Sequence, residues 1–407
     1  MNSKNILLSI IILCSSLIFG FSAYAELKNP DLPDRKGVKA GPLIMHAAYK
    51  SNVQFDTNVF LQDKNPQFDT ITLVNPSVGI ELPLGKHRFS ADYDIGINFF
   101  GHNPHQNYAD QRLRTLAEIK LTDYLITIED TFKDFSSRSG SEDTNRIKQM
   151  TNEFKTAIEA KFDQLLFSLG YIFGIQNYKS KEIIYESMTY RDKNRFTNTL
   201  EGAVKYKFLP KTYAVVVGSL GVLNYFSNLS SDSFFGEVLG GLEGRPKKDL
   251  TIDLKGGLRY QHYYRSDLTS SNDFVGFVAN GGINYDITNK DTVSLRLERA
   301  IYESTYDNMN YYTVNSITLG YTRQLMKNLT FKVAGGYQFN HYPSATVVDG
   351  VTAKRYDNFY FANCSLHYAI NKWGAIEVKY EFVDRSSKFS DFDYIDHLVV
   401  IQGTVGF

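Results

Sequence analysis

The chain has 407 residues, with 44 basic side chains against 44 acidic ones. That balance argues against a nucleic-acid partner and against a strongly electrostatic membrane-surface role. With two cysteines, Cys14 and Cys364, of which the first falls in a leader, no intramolecular disulfide can brace the mature chain.

The leader comes first. Lys4 supplies a short positive region, Ile6 to Phe21 an apolar core, and Ala23-Tyr24-Ala25 the small residues that signal peptidase reads, which predicts cleavage before Glu26. The apolar run is short for a membrane span of ~20 residues, and Ile12-Leu13 before Cys14 is not a lipobox. Residues 1–25 are therefore expected to be a cleaved signal peptide. Residues 26–42, polar and containing proline and lysine, read as a periplasmic tether too short to fold alone. No later run approaches the length of a membrane helix.

From residue 43 onward the chain repeats one unit, an alternating segment followed by a connection. The weakest member is 71–82, where Pro76 removes a ladder hydrogen bond and predicts a bulge or a late strand start. Clear alternation follows in 249–263: Leu250, Ile252, Leu254, Leu258 and Tyr260 share one face, and Thr251, Asp253, Lys255, Arg259 and Gln261 the other. Val293, Leu295 and Leu297 stand against Ser294, Arg296 and Glu298. Leu329, Phe331, Val333, Tyr337 and Phe339 oppose Thr330, Lys332, Gln338 and Asn340, and Ile376, Val378, Tyr380 and Phe382 oppose Glu377, Lys379 and Glu381. A period of two is a strand with one apolar face.

The connections fall into two alternating classes. Tight ones such as Pro83-Leu84-Gly85-Lys86, Thr122-Asp123, Asp163-Gln164 and Asn371-Lys372 use turn-forming residues. Longer polar stretches lie near 56–70, 100–108, 134–149, 179–195, 227–232, 264–272, 304–312, 342–355 and 386–393. Eight turns and nine loops predict 18 strands, with 16 as the alternative count, each strand crossing with ~9–11 residues. The expected fold is an all-β transmembrane antiparallel barrel over 43–407, with short periplasmic turns and longer extracellular loops. Its 28 Tyr and 29 Phe suit interfacial girdles. A negative mean hydropathy is no objection, since a barrel strand shows lipid on one face only. A β-propeller or solenoid would need a recurring blade motif and two buried faces, and the charged second face here opposes both.

The last strand carries an address. Val399, Ile401, Val405 and Phe407 fall on one face of it, and an amphipathic strand ending in an aromatic residue resembles the signal read by the barrel-assembly machinery. Outer-membrane lipid and that machinery are thus expected partners, with the Gram-negative outer membrane as destination.

A barrel of this size leaves an aqueous interior unless something plugs it. The candidate lumen face comprises Arg88, Asp92, Asp94, Arg112, Arg114, Glu118, Lys120, Asp253, Lys255, Arg259, Arg296, Glu298, Lys332, Glu377, Lys379 and Glu381. Glu129, Glu159, Lys161, Glu201 and Lys205 share that register. Two readings stay open: a lattice of mutually satisfied charges that solvates the wall, and a mixed-charge channel passing a hydrated solute by graded hydrogen bonding. No nucleophile-elbow pattern is present, and His102 and His105 without an acid or thiolate partner are a weak metal signal. No enzyme, cofactor or metal is expected.

Phe55-Asp56-Thr57-Asn58-Val59-Phe60-Leu61, then Asn75-Pro76-Ser77-Val78-Gly79 and Leu82-Pro83-Leu84-Gly85-Lys86-His87-Arg88, resemble the opening motif of the putative β-barrel porin 2 family. Thr57 replaces the usual Ser and keeps the hydroxyl. The Asp56, Thr57 and Asn58 motif reads as a structural turn rather than a ligand site. The resemblance implies a conduit for exopolysaccharide or capsular polysaccharide working beside a separate periplasmic polysaccharide-export protein. A general diffusion porin for small hydrophilic solutes and a structural or adhesive barrel with a filled lumen are the alternatives.

Overall fold

In the computed structural model the described residues are 37–138, 142, 146–264, 273–306, 309–348 and 350–407. The cleavage-site residues Ala23 and Ala25, and the tether up to residue 36, lie outside them.

Nineteen strands share one antiparallel sheet. Setting aside a short Val38–Ala40 strand, eighteen build a closed wall. In chain order the first six are β1 (Leu43–Asp56), β2 (Asp69–Leu84), β3 (His87–Phe100), β4 (Tyr108–Lys120), β5 (Tyr124–Arg138) and β6 (Arg146–Phe162). The next six are β7 (Leu165–Tyr178), β8 (Arg195–Leu209), β9 (Thr212–Tyr225), β10 (Ser233–Lys247), β11 (Leu250–Tyr263) and β12 (Phe274–Asp286). The last six are β13 (Asp291–Glu303), β14 (Tyr311–Met326), β15 (Leu329–Val348), β16 (Val351–Ala369), β17 (Gly374–Ser387) and β18 (Tyr394–Gly406). Each pairs with its neighbours in sequence, and β1 meets β18 in continuous register from Ala48↔Gly406 to Asp56↔Leu398. Closure removes both sheet edges, which is what allows a sheet to stand in lipid.

Side-chain alternation fixes which face is which. Val78, Ile80, Tyr93, Leu113, Val216, Leu258, Val275, Leu319 and Ile401 are exposed on the outer face. Exposed aromatics gather near both ends of the wall: Tyr124, Phe162, Phe167, Tyr206 and Tyr368 by the short turns, and Phe55, Phe99, Tyr260 and Tyr264 by the loops. That arrangement is two aromatic girdles around an apolar belt. Gly85, at φ +61, takes the left-handed conformation in the two-residue turn between β2 and β3.

Four details differ from the sequence-based expectation. Strands run from 13 to 20 residues rather than about ten, because their ends continue past the lipid belt, where alternation gives way to polar faces. The stretch 342–355 is accordingly no loop: β15 and β16 extend through it as one long hairpin, with pairing out to Val348↔Val351. Strand β2 neither bulges nor starts late at Pro76. It pairs with β1 without interruption, while on the β3 side Asn75 and Pro76 drop out of the ladder with no register shift. The Asn75 side-chain amide donates to the Ile95 carbonyl at 2.8 Å, supplying the bond that proline cannot. Finally, residues 38–40 at the end of the tether fold back on β1, Val38 opposite Met45.

The apolar clusters sit at the loop end of the wall. In the largest, Leu239, Val278 and Tyr263 pack with Phe274, Ile301 and Tyr311.

Candidate functional site

All sixteen lumen candidates stand on the face opposite the apolar belt. In the β3–β4 pair, Arg88 lies across from Glu118, Asp92 from Arg114 and Asp94 from Arg112, while Tyr93 and Leu113 between them point to lipid. Lys120 closes the same face at the end of β4. Asp253, Lys255 and Arg259 alternate along β11, Arg296 and Glu298 along β13, and Glu377, Lys379 and Glu381 along β17, with Lys332 on β15.

Many of these charges are satisfied by one another. Arg114 Nε meets Glu129 Oε1 at 2.7 Å, Arg259 Nη1 meets Glu237 Oε2 at 3.5 Å, and Lys205 Nζ meets Glu243 Oε2 at 3.1 Å. Lys255 bridges Asp253 and Glu243, and Lys379 pairs with Glu381. Glu118, Glu377 and Lys332 stand apart from these groups, Lys332 opposite Ser365 and Glu377 opposite His367. Between β12 and β16 the inner face mixes small, amide and hydroxyl side chains, Asn280, Gly282, Ser294, Thr318, Gly336, Asn363 and Ser365, with the charges of Arg296, Glu298 and Lys332.

On the inner face of β1–β4 lies a cavity of about 240 Å³ lined by His46, Ser77, Asp92, Asp94, Arg112 and Arg114, with Gly79 as part of its floor. A methyl on Gly79 would meet Asp92 Oδ1 at 2.5 Å, so the glycine is what lets this carboxylate lie down against the wall. His46 Nδ1 is buried there and has no hydrogen-bond partner among the described residues.

The outer end of the lumen is occupied. Pairing between β12 and β13 stops at Ala279↔Arg299, yet β13 and β14 stay paired up to Glu303↔Tyr311. Above the break, Ile301 and Tyr311 pack on Tyr263, Phe274 and Val278, which belong to the inner face of β11 and β12. Glu303 accepts hydrogen bonds from Tyr225, Gln261 and Tyr263, also on the inner face. Side chains whose alternation would place them in lipid can reach these partners only if the hairpin end leans into the barrel. Arg299 covers the break: its Nε donates to the Phe277 carbonyl at 3.0 Å.

That hairpin end is held from across the lumen. The Glu142 carboxylate, in the β5–β6 loop, accepts from the Ser304 hydroxyl at 2.6 Å and from the Thr305 backbone N–H at 2.7 Å. Its backbone carbonyl accepts from Arg355 and Arg385, and both guanidiniums also bond Asp357 Oδ2 at 2.9 Å. Arg355 is fully buried beneath the rings of Phe392, Tyr306 and Tyr342, at 3.7, 4.3 and 4.5 Å. Lys193, from the β7–β8 loop, donates to the Met309 carbonyl. A buried ion group of this kind is costly to break once formed, about 3–5 kcal/mol for loss of one partner. Sequence reading passed over every one of these residues. The available signals were Arg355 two positions from Asp357, hence on one face, and the tyrosines 306, 311 and 312 in a stretch taken for a polar loop.

The loops are braced locally. Burial would raise the Asp192 carboxyl, but the Thr189 N–H, the Ser227 and Thr189 hydroxyls and the Lys193 charge together hold it below the ordinary value of 3.8. Asp393 goes the other way: burial, then the Asp63 charge, outweigh the Ser387 N–H and Arg385. His102 meets Asp69 at 3.4 Å, whose carboxylate is taken by the His102 and Asn103 backbone N–H groups. No group of three or more metal-ligating side chains occurs among the described residues.

The Asp56, Thr57 and Asn58 motif does form a local turn, with the Asn58 N–H donating to Asp56 Oδ1 at 2.9 Å. It also reaches the other end of the chain. Asn58 Nδ2 donates to the Gln62 and Ile395 carbonyls at 2.8 and 3.0 Å, and the Thr57 hydroxyl accepts from the His397 N–H at 2.9 Å. The motif clasps the first loop to β18. On that strand Ile401, Val405 and Phe407 are exposed, and Val399 shares their outer face.

The family model described as "Putative beta-barrel porin 2" matches residues 32–407. No curated protein matches the sequence. Among solved structures, the outer membrane protein opdK from Pseudomonas aeruginosa is 11% identical, with 89% of this chain and 99% of that chain covered at a TM-score of 0.47. OccK5 (OpdH) from the same organism is 13% identical, with 90% and 100% covered at 0.46. A ferric enterobactin receptor mutant (PfeA), also from P. aeruginosa, is 9% identical, with 91% and 82% covered at 0.47.

Proposed function

Because the chain belongs to the putative beta-barrel porin 2 family, we propose that this outer-membrane porin-type barrel is a conduit for exopolysaccharide or capsular polysaccharide, delivered by a cleaved signal peptide. The observation that carries the reading is the inner wall. Eighteen strands enclose a face on which many opposite charges are paired and interspersed with amides and hydroxyls, suited to a long hydroxylated chain and to neither simple anions nor simple cations. The reading contains no catalytic step. It calls on the barrel-assembly machinery for insertion and on a separate periplasmic export protein to bring the polymer to the lower mouth.

The test is a deletion strain scored for polymer at the surface and in the periplasm. Export predicts loss of surface polymer with retention inside; unchanged surface polymer overturns it. A second reading, diffusion of small hydrophilic solutes, is favoured by the in-folded hairpin, which narrows the path. It predicts steady ohmic conductance of the purified barrel in planar bilayers with no partner added.

A further inference from the structure

We infer that the lipid-facing side of the wall over β10–β16 binds one bisphosphorylated glycolipid of the outer leaflet. Its phosphates meet Arg299, His341 and Lys354, and one of its acyl chains lies in the groove that runs from Arg299 back to β10. The site goes beyond the conduit reading, since it holds whatever crosses the lumen.

Register places the three basic side chains together near the loops. Arg299, at the last position where β13 pairs with β12, stays on the outer side and stands opposite Asn315 on β14. Asn315 stands opposite Phe339 on β15, and His341 is the next outward residue up that strand. His341 in turn faces Tyr356 on β16, two residues from Lys354. Arg299 and Lys354 are exposed, and none of the three makes an ion pair with a carboxylate among the described residues. The charges that bear on the His341 ring are those of Lys354 and Arg299, and no carboxylate is among them. Arg299 is held in place without being used up. Its Nε donates to the Phe277 carbonyl and its Nη1 to Asn315 Oδ1 at 2.6 Å, while Nη2 has no hydrogen-bond partner among the described residues. Phe339 and Tyr356 pack at 6.4 Å beside His341, which sets the group at the level of the loop-end aromatic girdle. Two full positive charges and an imidazole at that depth call for an anion, and the anions that a leaflet offers there are its phosphates. Arg299 and Lys354 stand three strands apart, roughly 14 Å at the backbone. That spread suits two phosphates on a disaccharide better than one on a glycerol.

Beside and below this basic group the wall is hollowed. A groove of about 380 Å³ is lined by Gly240, Leu242, Leu254, Phe277, Ala279 and Leu297. All six lie on the outward register of β10–β13, and Ala279 is the residue opposite Arg299. Leu297 is the next outward residue below Arg299 on β13, so groove and guanidinium are continuous. Leu242, Phe277 and Leu297 are exposed, and the groove therefore opens to lipid. Within a bilayer an apolar groove gains nothing by excluding water and works by close van der Waals fit. The head group supplies the affinity, and the groove selects an anion that carries a chain. A free phosphate ion would meet only the upper half of such a site.

Purified full-length protein in detergent would be titrated with bisphosphorylated lipid A, the same lipid stripped of its phosphates, and phosphatidylglycerol, with bound lipid counted by native mass spectrometry. The expected result is one lipid A per barrel, held at least about tenfold tighter than either other lipid and retained in excess inorganic phosphate. Arg299→Gln, Lys354→Gln and Gly240→Leu are each expected to weaken it about fivefold or more. Lys354 makes no hydrogen bond or ion pair among the described residues, and a carbon added at Gly240 meets nothing within 4 Å. Those two variants are therefore expected to close normally even if Arg299→Gln does not, and heat-modifiable gel migration reports closure. Absence of bound lipid A, equal binding of the dephosphorylated lipid or of phosphatidylglycerol, displacement by inorganic phosphate, or full-strength binding by the closed variants overturns the site.

Discussion

Asn58 is 1% exposed, and its side chain makes three hydrogen bonds to described residues, two within its own loop and one to the backbone of β18. Asn58→Ala leaves the Gln62 backbone N–H and the Ile395 carbonyl short of partners, each worth about 1–3 kcal/mol when buried. The expected outcome is destabilisation of roughly 2–4 kcal/mol, read as a lower urea midpoint in detergent with conductance of the folded fraction unchanged. The local half of this role was legible, because an Asp two residues before an Asn is a turn-forming pattern. The partner 337 positions away was not, since period-two alternation gives the face of each strand but not the level at which first and last strands meet. The Asn75 amide that stands in for the missing Pro76 donor escaped notice for a related reason: the compensation lies in a side chain next to the breaker, not in the ladder pattern.

At the scale of the element, the β13–β14 hairpin obeys the barrel pattern in its lower half and abandons it in its upper half. Sequence alternation continues through Arg299, Ile301 and Glu303 and assigns all three to lipid. Tertiary contacts override that assignment, because Ile301 and Tyr311 gain an apolar surface on β11 and β12, and Glu303 gains three donors that lipid would deny it. The grip on this hairpin runs through the Glu142 carboxylate. Glu142→Ala removes the acceptor for Ser304 and Thr305 and is expected to raise single-channel conductance in planar bilayers at least about twofold, with more frequent current steps. Negligible current in both proteins would instead mark a permanently filled barrel.

For the whole molecule, the fold was almost fully legible: strand number, the even alternation of turns and loops, and the inward register of the charged residues all follow from period two and turn chemistry. Strand length was underestimated because hydropathy marks only the lipid belt, whereas β15 and β16 stay paired well beyond it. The closure at the outer end was illegible, for it depends on residues from five separate segments meeting in space. Assembly is where both ends of the chain act together. Phe407 N–H and carbonyl both bond Ala47, so the last residue is stitched to β1. Removing Phe407 is expected to slow insertion in cells, seen as accumulation of protease-sensitive precursor, while protein refolded in detergent still closes.

The break between β12 and β13 gives the hairpin a second address. Its inward lean leaves the Phe274–Val278 rim of β12 without β13 as a ladder neighbour, covered in part by a single guanidinium. A hairpin that left the lumen would meet that rim and exchange the Glu142 and tyrosine contacts for ladder hydrogen bonds at about 1 kcal/mol each. The wall thus stores a landing strip for its own obstruction. Such a move would exchange one set of bonds for another and would spare the strand a bare passage through lipid.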